Sequence, residues 1–338
     1  MAKLLTNFSP RRSRVNHQSA ADVAAVAALL QIAAELRIDH VLESGGTFSV
    51  SELAELAEIP DRGVARYVDA LAAAGLVTQA ETGGRFQASA DYADWKHAAG
   101  YVSWAMNANG PFIENARDFL IDRDSTAKRH RRDGRRVAVS SRWIGERTFY
   151  PAVIDRVVAA GAQHVADLGA GAAGLLIKLL QQDPARTGLA LDISGAACSA
   201  AREAAVRNGV SERLEVVERS IESLVDDADP IDGANVIVAC FVLHDIVRDD
   251  ALFEGVLRNC RSALDPGGQL IVADAVSYAQ GDRERKFSAL FTYLHANFME
   301  VQLPSEKEWQ DKFHAAGFSQ LETLPEVLPG GRVFVATK

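Results

Sequence analysis

The feature that most constrains this chain lies between His164 and Gln182. The short apolar run His164–Leu168 ends on Gly169-x-Gly171-x-x-Gly174, and Leu175–Gln182 then repeats apolar residues at helical spacing. Strand, glycine turn and helix in that order open a parallel α/β unit, because glycine lets the backbone turn tightly and approach a ligand closely. The alternation continues through strands at Thr187–Leu191, Leu214–Val217, Asn235–Phe241 and Gln269–Ala273. Helices fall at Ser199–Asn208 and Asp249–Leu264, the second stopped by Asp265-Pro266-Gly267-Gly268. Asn235–Phe241 is mostly apolar, as in a strand covered on both faces. Ser319–Leu324 and Arg332–Val335, joined through Gly330-Gly331, are too close for a helical crossover and must pair antiparallel. The fold class is therefore α/β: a mostly parallel, doubly wound sheet with one reversed strand.

The N-terminal part reads differently. Residues 18–42 are Ala-rich with Val23, Val26, Leu29, Leu30 and Ala33 at helical spacing. A second helix begins after Ser49, with Glu52 three residues on as a capping box, and Pro60 ends it. A third carries Val64, Tyr67, Val68 and Leu71 on one face and stops at Gly75. A hairpin follows through Gly83-Gly84. Three helices and a hairpin make a mainly helical, winged-helix arrangement over residues 1–94. Residues 95–150 read as an irregular helical linker contributing to a substrate pocket, and 151–338 as the cofactor-binding, catalytic domain. Met1–Asn16 is polar, lacks an apolar signal core and is expected to fray.

The glycine turn alone fits either a dinucleotide or S-adenosylmethionine. Asp192, 18 residues past Gly174 at the tip of the next strand, can accept hydrogen bonds from ribose hydroxyls. Asp167 tips the choice. A carboxylate there would repel a pyrophosphate and attract the methyl donor's ammonium group. Gly169, Gly171, Ile193, Ser220, Ile221, Cys240 and Phe241 complete the expected cofactor side. The bland alternative is a structural glycine turn. A second signal is Val242-Leu243-His244-Asp245 at the end of the fourth strand, where ligands of open α/β sheets bind. His244 can take a proton near neutral pH or ligate a metal, and Asp245 can orient its ring or cap the next turn. Otherwise His244 merely fills a polar pocket.

Asp167–Gly174, Asp192, Leu243-His244-Asp245, Asp265–Gly268 and Leu303-Pro304-Ser305-x-x-x-Trp309 together resemble the class I, Rossmann-like methyltransferases of natural-product pathways. The resemblance covers residues 20–338. It implies a dimerisation role for the winged helix, a homodimer with intertwined N-terminal helices, and His244 as general base. A narrower likeness, carried by Trp104, Arg132-Asp133, His244-Asp245, His295 and Gly145–Pro151, is to bacterial enzymes that C-methylate α-keto acids. That likeness implies a divalent or trivalent metal ion, Fe or Zn, held by His244 and His295 and chelated by the keto acid, with Arg132 on its carboxylate. Such a cation would stabilise the enolate. Catalytic residues are then His244, Asp245 and His295, with Trp104, Arg132, Tyr293 and Met299 lining the substrate. His295 and Met299 are four apart and share a face of an α-helix. Core packing is the plainer role for the aromatic residues and Met299, and solvent the plainer fate of most of the basic run Lys128–Arg136. Ser220 stands where the family often has an acid near the adenine.

Composition excludes other classes. The net charge of −9 and the balanced Asp61, Arg62, Arg66 and Asp69 set on the third helix argue against nucleic acid. A cofactor-sensing DNA-binding regulator and an NAD-dependent oxidoreductase are the competing readings from other classes. O-methylation of a phenol or C3-methylation of an indole compete within the class. No apolar run is long enough to span a membrane. Three unpaired cysteines fit a reducing cytoplasm.

Overall fold

The computed structural model describes residues 17–81 and 83–338, so the stretch Met1–Asn16 lies outside the described residues. The chain divides into two compact units. One holds the residues up to Ala108 with Val139–Trp143; the other holds Asn109–Ala138 and Ile144–Lys338.

In the first unit the expected long helix is two, His17–Glu35 and Asp39–Glu43, broken where Arg37 takes a φ of 59°. Ser49 and Glu52 form the capping box in both directions, at 3.2 and 2.7 Å, and start the helix Val50–Ala57. The next helix, Asp61–Ala73, buries Val64, Tyr67, Val68 and Leu71, the stripe read from the sequence. Three short strands form an antiparallel sheet: β1 (Thr47–Ser49), β2 (Val77–Gln79) and β3 (Arg85–Ala88), in the order β1-β3-β2. Three residues were too few for β1 to stand out in the sequence; it exists because Phe48 pairs with Phe86. Glu43 binds Arg142, Trp143 and Lys96, which draws Val139–Trp143 into this unit. Burial works against the Glu43 carboxylate, yet Arg142 and Lys96 hold its pKa below the usual value.

The second unit is built on seven strands: β4 (His164–Leu168), β5 (Thr187–Asp192), β6 (Leu214–Glu218), β7 (Ala234–Cys240), β8 (Leu264–Ala275), β9 (Gln320–Leu328) and β10 (Gly331–Thr337). Their order is β6-β5-β4-β7-β8-β10-β9. β4 to β8 run parallel and β10 is antiparallel to both neighbours, the one reversed strand. The sheet is Rossmann-like and doubly wound in strand order and sense. β8 starts earlier than expected: Leu264 already pairs with Ala234, and the register then shifts, so Asp265–Gly268 is an irregularity within the strand and not only a helix stop. Strand order reverses between β4 and β7, which opens a crevice beyond their carboxyl ends. Among the described residues no helix is long and apolar enough to cross a membrane.

Candidate functional site

Both halves of the site grow from that crevice. On one side β4 delivers Asp167 and the glycine turn. Gly169 has a φ of 71°, and a Cβ there would lie 2.7 Å from a methyl of Val242. Only glycine meets both demands, so this turn and the turn after β7 are packed together. The N–H of Gly171 donates to Asp192 at 2.8 Å, and the other Asp192 oxygen accepts from Ser194 at 2.8 Å. Asp192 thus braces the glycine turn against the tip of β5 and keeps lone pairs for further donors.

Asp167 is 4% exposed, and among the described residues its carboxyl has no hydrogen-bond or ion-pair partner. Burial, helped by repulsion from Asp192, pushes its pKa up to about 8. A buried acid without a cation of its own is suited to a ligand that brings one. The flexible glycine cradle, Asp167 and Asp192 therefore fit S-adenosylmethionine better than a pyrophosphate.

The other expected cofactor residues vary. Ile193 is 70% exposed beyond β5, ready to lie against a flat ring. Ile221 is buried, and the Ser220 hydroxyl accepts from the Ser223 N–H at 3.3 Å, capping a short turn. Cys240 and Phe241 end β7. Phe241 has a φ of 55°, an uncommon backbone for a bulky residue, and its ring lies between Phe149 and Phe291.

On the acceptor side His244 is buried in the turn after β7, and its orienting carboxylate is Asp274. His244 Nδ1 donates to Asp274 at 2.7 Å, and the His244 and Ala275 backbone N–H groups donate to it at 3.1 and 2.7 Å. That corrects the expectation for Asp245, which lies 3.6 Å from Nε2 on the opposite edge of the ring. Because Nδ1 keeps its proton and donates it to Asp274 in a hydrogen bond, Nε2 is the nitrogen left for chemistry. Burial opposes the charged ring, but Asp274 and Asp245 outweigh it and hold the His244 pKa above its ordinary value.

His295 is 1% exposed, and its ring centroid is 5.0 Å from that of His244. Its Nδ1 donates to the Phe291 carbonyl at 2.7 Å, and the ring stacks on Phe291 at 4.1 Å. Burial, with repulsion from His244, keeps His295 neutral well below the usual imidazole range. In both imidazoles Nδ1 is the hydrogen-bonded nitrogen, an orientation also found in metal-binding histidines. Among the described residues no group of three or more His, Cys, Asp or Glu is placed to hold a metal. The residues that could approach a metal here are therefore at most the two histidines.

Arg132 is half-buried while Arg129, Arg131 and Arg135 around it are exposed. Burial weakens its proton affinity and the Asp245 carboxylate partly restores it, so Arg132 stays a cation facing the His244–Asp245 turn. Among the described residues it makes no hydrogen bond and no ion pair within 4 Å. Tyr293 and Met299 follow less closely. His295–Met299 is a π-turn, so the α-helical spacing that would align His295 with Met299 does not apply. Tyr293 is exposed, with its ring edge against Phe298. Trp104 is buried within the first unit, in another π-turn, Ser103–Ala108.

The residue missed from the sequence is Asp274. Its one signal was an acid inside the apolar run Leu270–Ala275. Such an acid must find donors when buried, and here it finds three.

Comparison with known proteins bears on the same region. Residues 166–270 match the family model described as Methyltransferase domain. The chain is 30% identical over 170 residues to aclacinomycin 10-hydroxylase RdmB of Streptomyces purpurascens, covering 50% of this chain and 43% of that one. It is 38% identical over 115 residues to 2,7-dihydroxy-5-methyl-1-naphthoate 7-O-methyltransferase of Streptomyces carzinostaticus, covering 34% and 32%. The chain thus spans less than half the length of these two relatives. The crystal structure of human N-acetylserotonin methyltransferase in complex with SAM is similar in fold, with a TM-score of 0.54, 16% identity, and 98% and 99% of the two chains covered. One relative is named a hydroxylase and the other an O-methyltransferase, so likeness alone does not fix the reaction.

Proposed function

We propose that the chain, which matches a methyltransferase domain over residues 166–270, is a class I, S-adenosylmethionine-dependent methyltransferase and that it methylates a small anionic acceptor, namely the enol carbon of an α-keto acid. The observation that carries the reading is Arg132, a half-buried cation without an ion-pair partner, facing the turn of His244 and Asp245. A guanidinium in that state suits a carboxylate, to which it can offer two parallel hydrogen bonds.

S-adenosylmethionine supplies a methyl group on a positively charged sulfonium, so the group needs little activation. The chain's own residues do the rest. Asp167 binds the donor's ammonium and the glycine turn with Asp192 holds its ribose. Arg132 fixes the acceptor's acid end. His244, held by Asp274 in the tautomer that leaves Nε2 available, takes the proton from the carbon beside the ketone. The buried rings of Phe291 and Phe298 keep water from the reacting carbon. A divalent or trivalent ion, if bound, would be held by His244 and His295 and would acidify that same carbon; His244 would then be a ligand, and Asp245 or a bound water would be the base. The first unit is read as a winged-helix dimerisation module, on its helix and hairpin order.

The test is product mass spectrometry with the purified protein, S-adenosylmethionine, and panels of α-keto acids, phenols and indoles, alongside metal analysis. A keto acid should gain one methyl on carbon, and Arg132→Ala should raise its KM about 10- to 100-fold, the size of a charge-assisted hydrogen bond. Methylation confined to uncharged phenols or indoles, or an unchanged KM in Arg132→Ala, would overturn the reading. O-methylation is the second reading, favoured by the His244–Asp274 pair, which serves a hydroxyl equally well, and by the naphthoate O-methyltransferase among the relatives.

A further inference from the structure

Two segments of the second unit carry the acceptor-side residues, and each is pinned at its far end. The first runs from Arg123, which opens the helix Arg123–Arg129, to Arg132 three residues beyond that helix. The second is the π-turn His295–Met299, which starts at His295 and is closed by Glu300. Glu300 sits in the left-handed region at φ 58°, and the N–H of Val301 returns to the His295 carbonyl at 3.0 Å. A π-turn with a left-handed acidic residue at its end is not a cheap local conformation. Something outside it must hold it.

Arg123 Nη1 binds Glu300 at 3.0 Å and Asp124 at 2.8 Å. The Arg123 Nε is buried without a hydrogen-bond partner, so the guanidinium is partly desolvated, while the Glu300 carboxylate stays 57% exposed and the pair is partly screened. Between the segments Phe298 of the π-turn packs against Phe112 and Phe119, at ring separations of 5.6 and 5.3 Å. At the other end Arg132 directly precedes Asp133, whose carboxylate accepts from the Arg135 N–H at 2.9 Å and starts the next helix. The ion pair therefore joins the segment bearing Arg132 to the turn bearing His295, through the ends farthest from both.

We propose that Arg123 and Glu300 form a latch that positions Arg132 and His295 relative to each other, and so sets acceptor affinity without touching the acceptor. This rests on Arg132 being the group that reads the acceptor's acid. Both residues are positioning residues. Breaking the latch loosens the acceptor side while the donor side, built from β4 and β5, is undisturbed.

Glu300→Gln keeps the shape and removes the charge. It should raise the acceptor KM about fivefold, the size of a partly screened ion pair, with kcat and donor affinity by calorimetry unchanged. In an Arg132→Ala background the same change should add nothing to KM, because its route to the acceptor has been removed. Amide hydrogen exchange gives a readout that needs no acceptor: Glu300→Gln should speed exchange in peptides covering 126–133 as well as 295–301. Faster exchange confined to 295–301, or a KM effect that adds in full to that of Arg132→Ala, would overturn the latch. If wild type methylates no acid, or Arg132→Ala alone leaves KM unchanged, the acid-reading role fails instead, and the exchange experiment still decides whether the two segments are joined.

Discussion

Asp167→Asn should stabilise the ligand-free protein and weaken its hold on the methyl donor. Asp167 is buried, lacks a partner within the described chain, and ionises only near pH 8. In the unfolded chain an aspartate ionises near pH 4, so between those values the folded state holds a proton the unfolded state has lost. Stability is therefore drained as pH rises from about 4 to about 8, and is level beyond. Each tenfold displacement of an ionisation constant is worth about 1.4 kcal/mol, so at pH 7 the burial costs on the order of 4 kcal/mol. Asparagine does not titrate, but its buried amide wants partners and takes back about half of that. The net gain of about 2 kcal/mol should appear as a melting temperature several degrees higher at pH 7, since a domain of this size moves roughly 2–4 °C per kcal/mol. At pH 4 the ionisation cost is gone while the amide penalty of about 2 kcal/mol remains, so the variant should melt below wild type there. The same substitution removes the anion that meets the donor's ammonium, so donor affinity should fall about 10- to 100-fold. Wild type should also release close to one proton on binding the donor at pH 7, seen as a buffer-dependent enthalpy in calorimetry. A variant that melts lower than wild type at both pH values, or binds the donor equally well, would refute this account of Asp167.

Two further outcomes follow from the site geometry. Asp274→Asn leaves the His244 ring without its anionic acceptor and frees its tautomer, so kcat should drop about 10²- to 10⁴-fold while calorimetric donor affinity stays unchanged; a kcat near wild type would show that Asp274 only packs. Gly169→Ala combines a left-handed backbone with a Cβ 2.7 Å from a Val242 methyl, so urea unfolding should show a loss of about 2 kcal/mol or more. Gly267→Ala, equally left-handed but with nothing within 4 Å, should lose about 1 kcal/mol from the backbone alone.

The sheet was legible because its central strands are buried on both faces and must read as apolar runs. Each of the strands expected from Val165 to Val335 is present, and the reversed strand followed from the shortness of its connection. The capping box at Ser49 and Glu52 was equally plain, because a cap is a contact between near neighbours. Local signals failed where the deciding partner is distant. β1 exists through Phe86, 38 residues away, and the break at Arg37 falls inside an unbroken Ala-rich pattern. The π-turn at His295 hides in a sequence that reads as ordinary helix.

For the site the division is sharper. Sequence alone picked out the candidate donor side, since Asp167, Gly169, Gly171 and Asp192 sit at strand ends whose positions the strand pattern dictates. It also singled out His244, one residue type at one such end. Only tertiary structure decided how the His244 ring is held, because the carboxylate that orients it comes from the neighbouring strand, 30 residues on. The same holds for the choice of Arg132 among the arginines of a basic run, and for the pairing of His295 with His244. A side chain's burial and its partners depend on which strands and helices become neighbours, and that is fixed by packing across the sheet rather than by residue spacing along the chain.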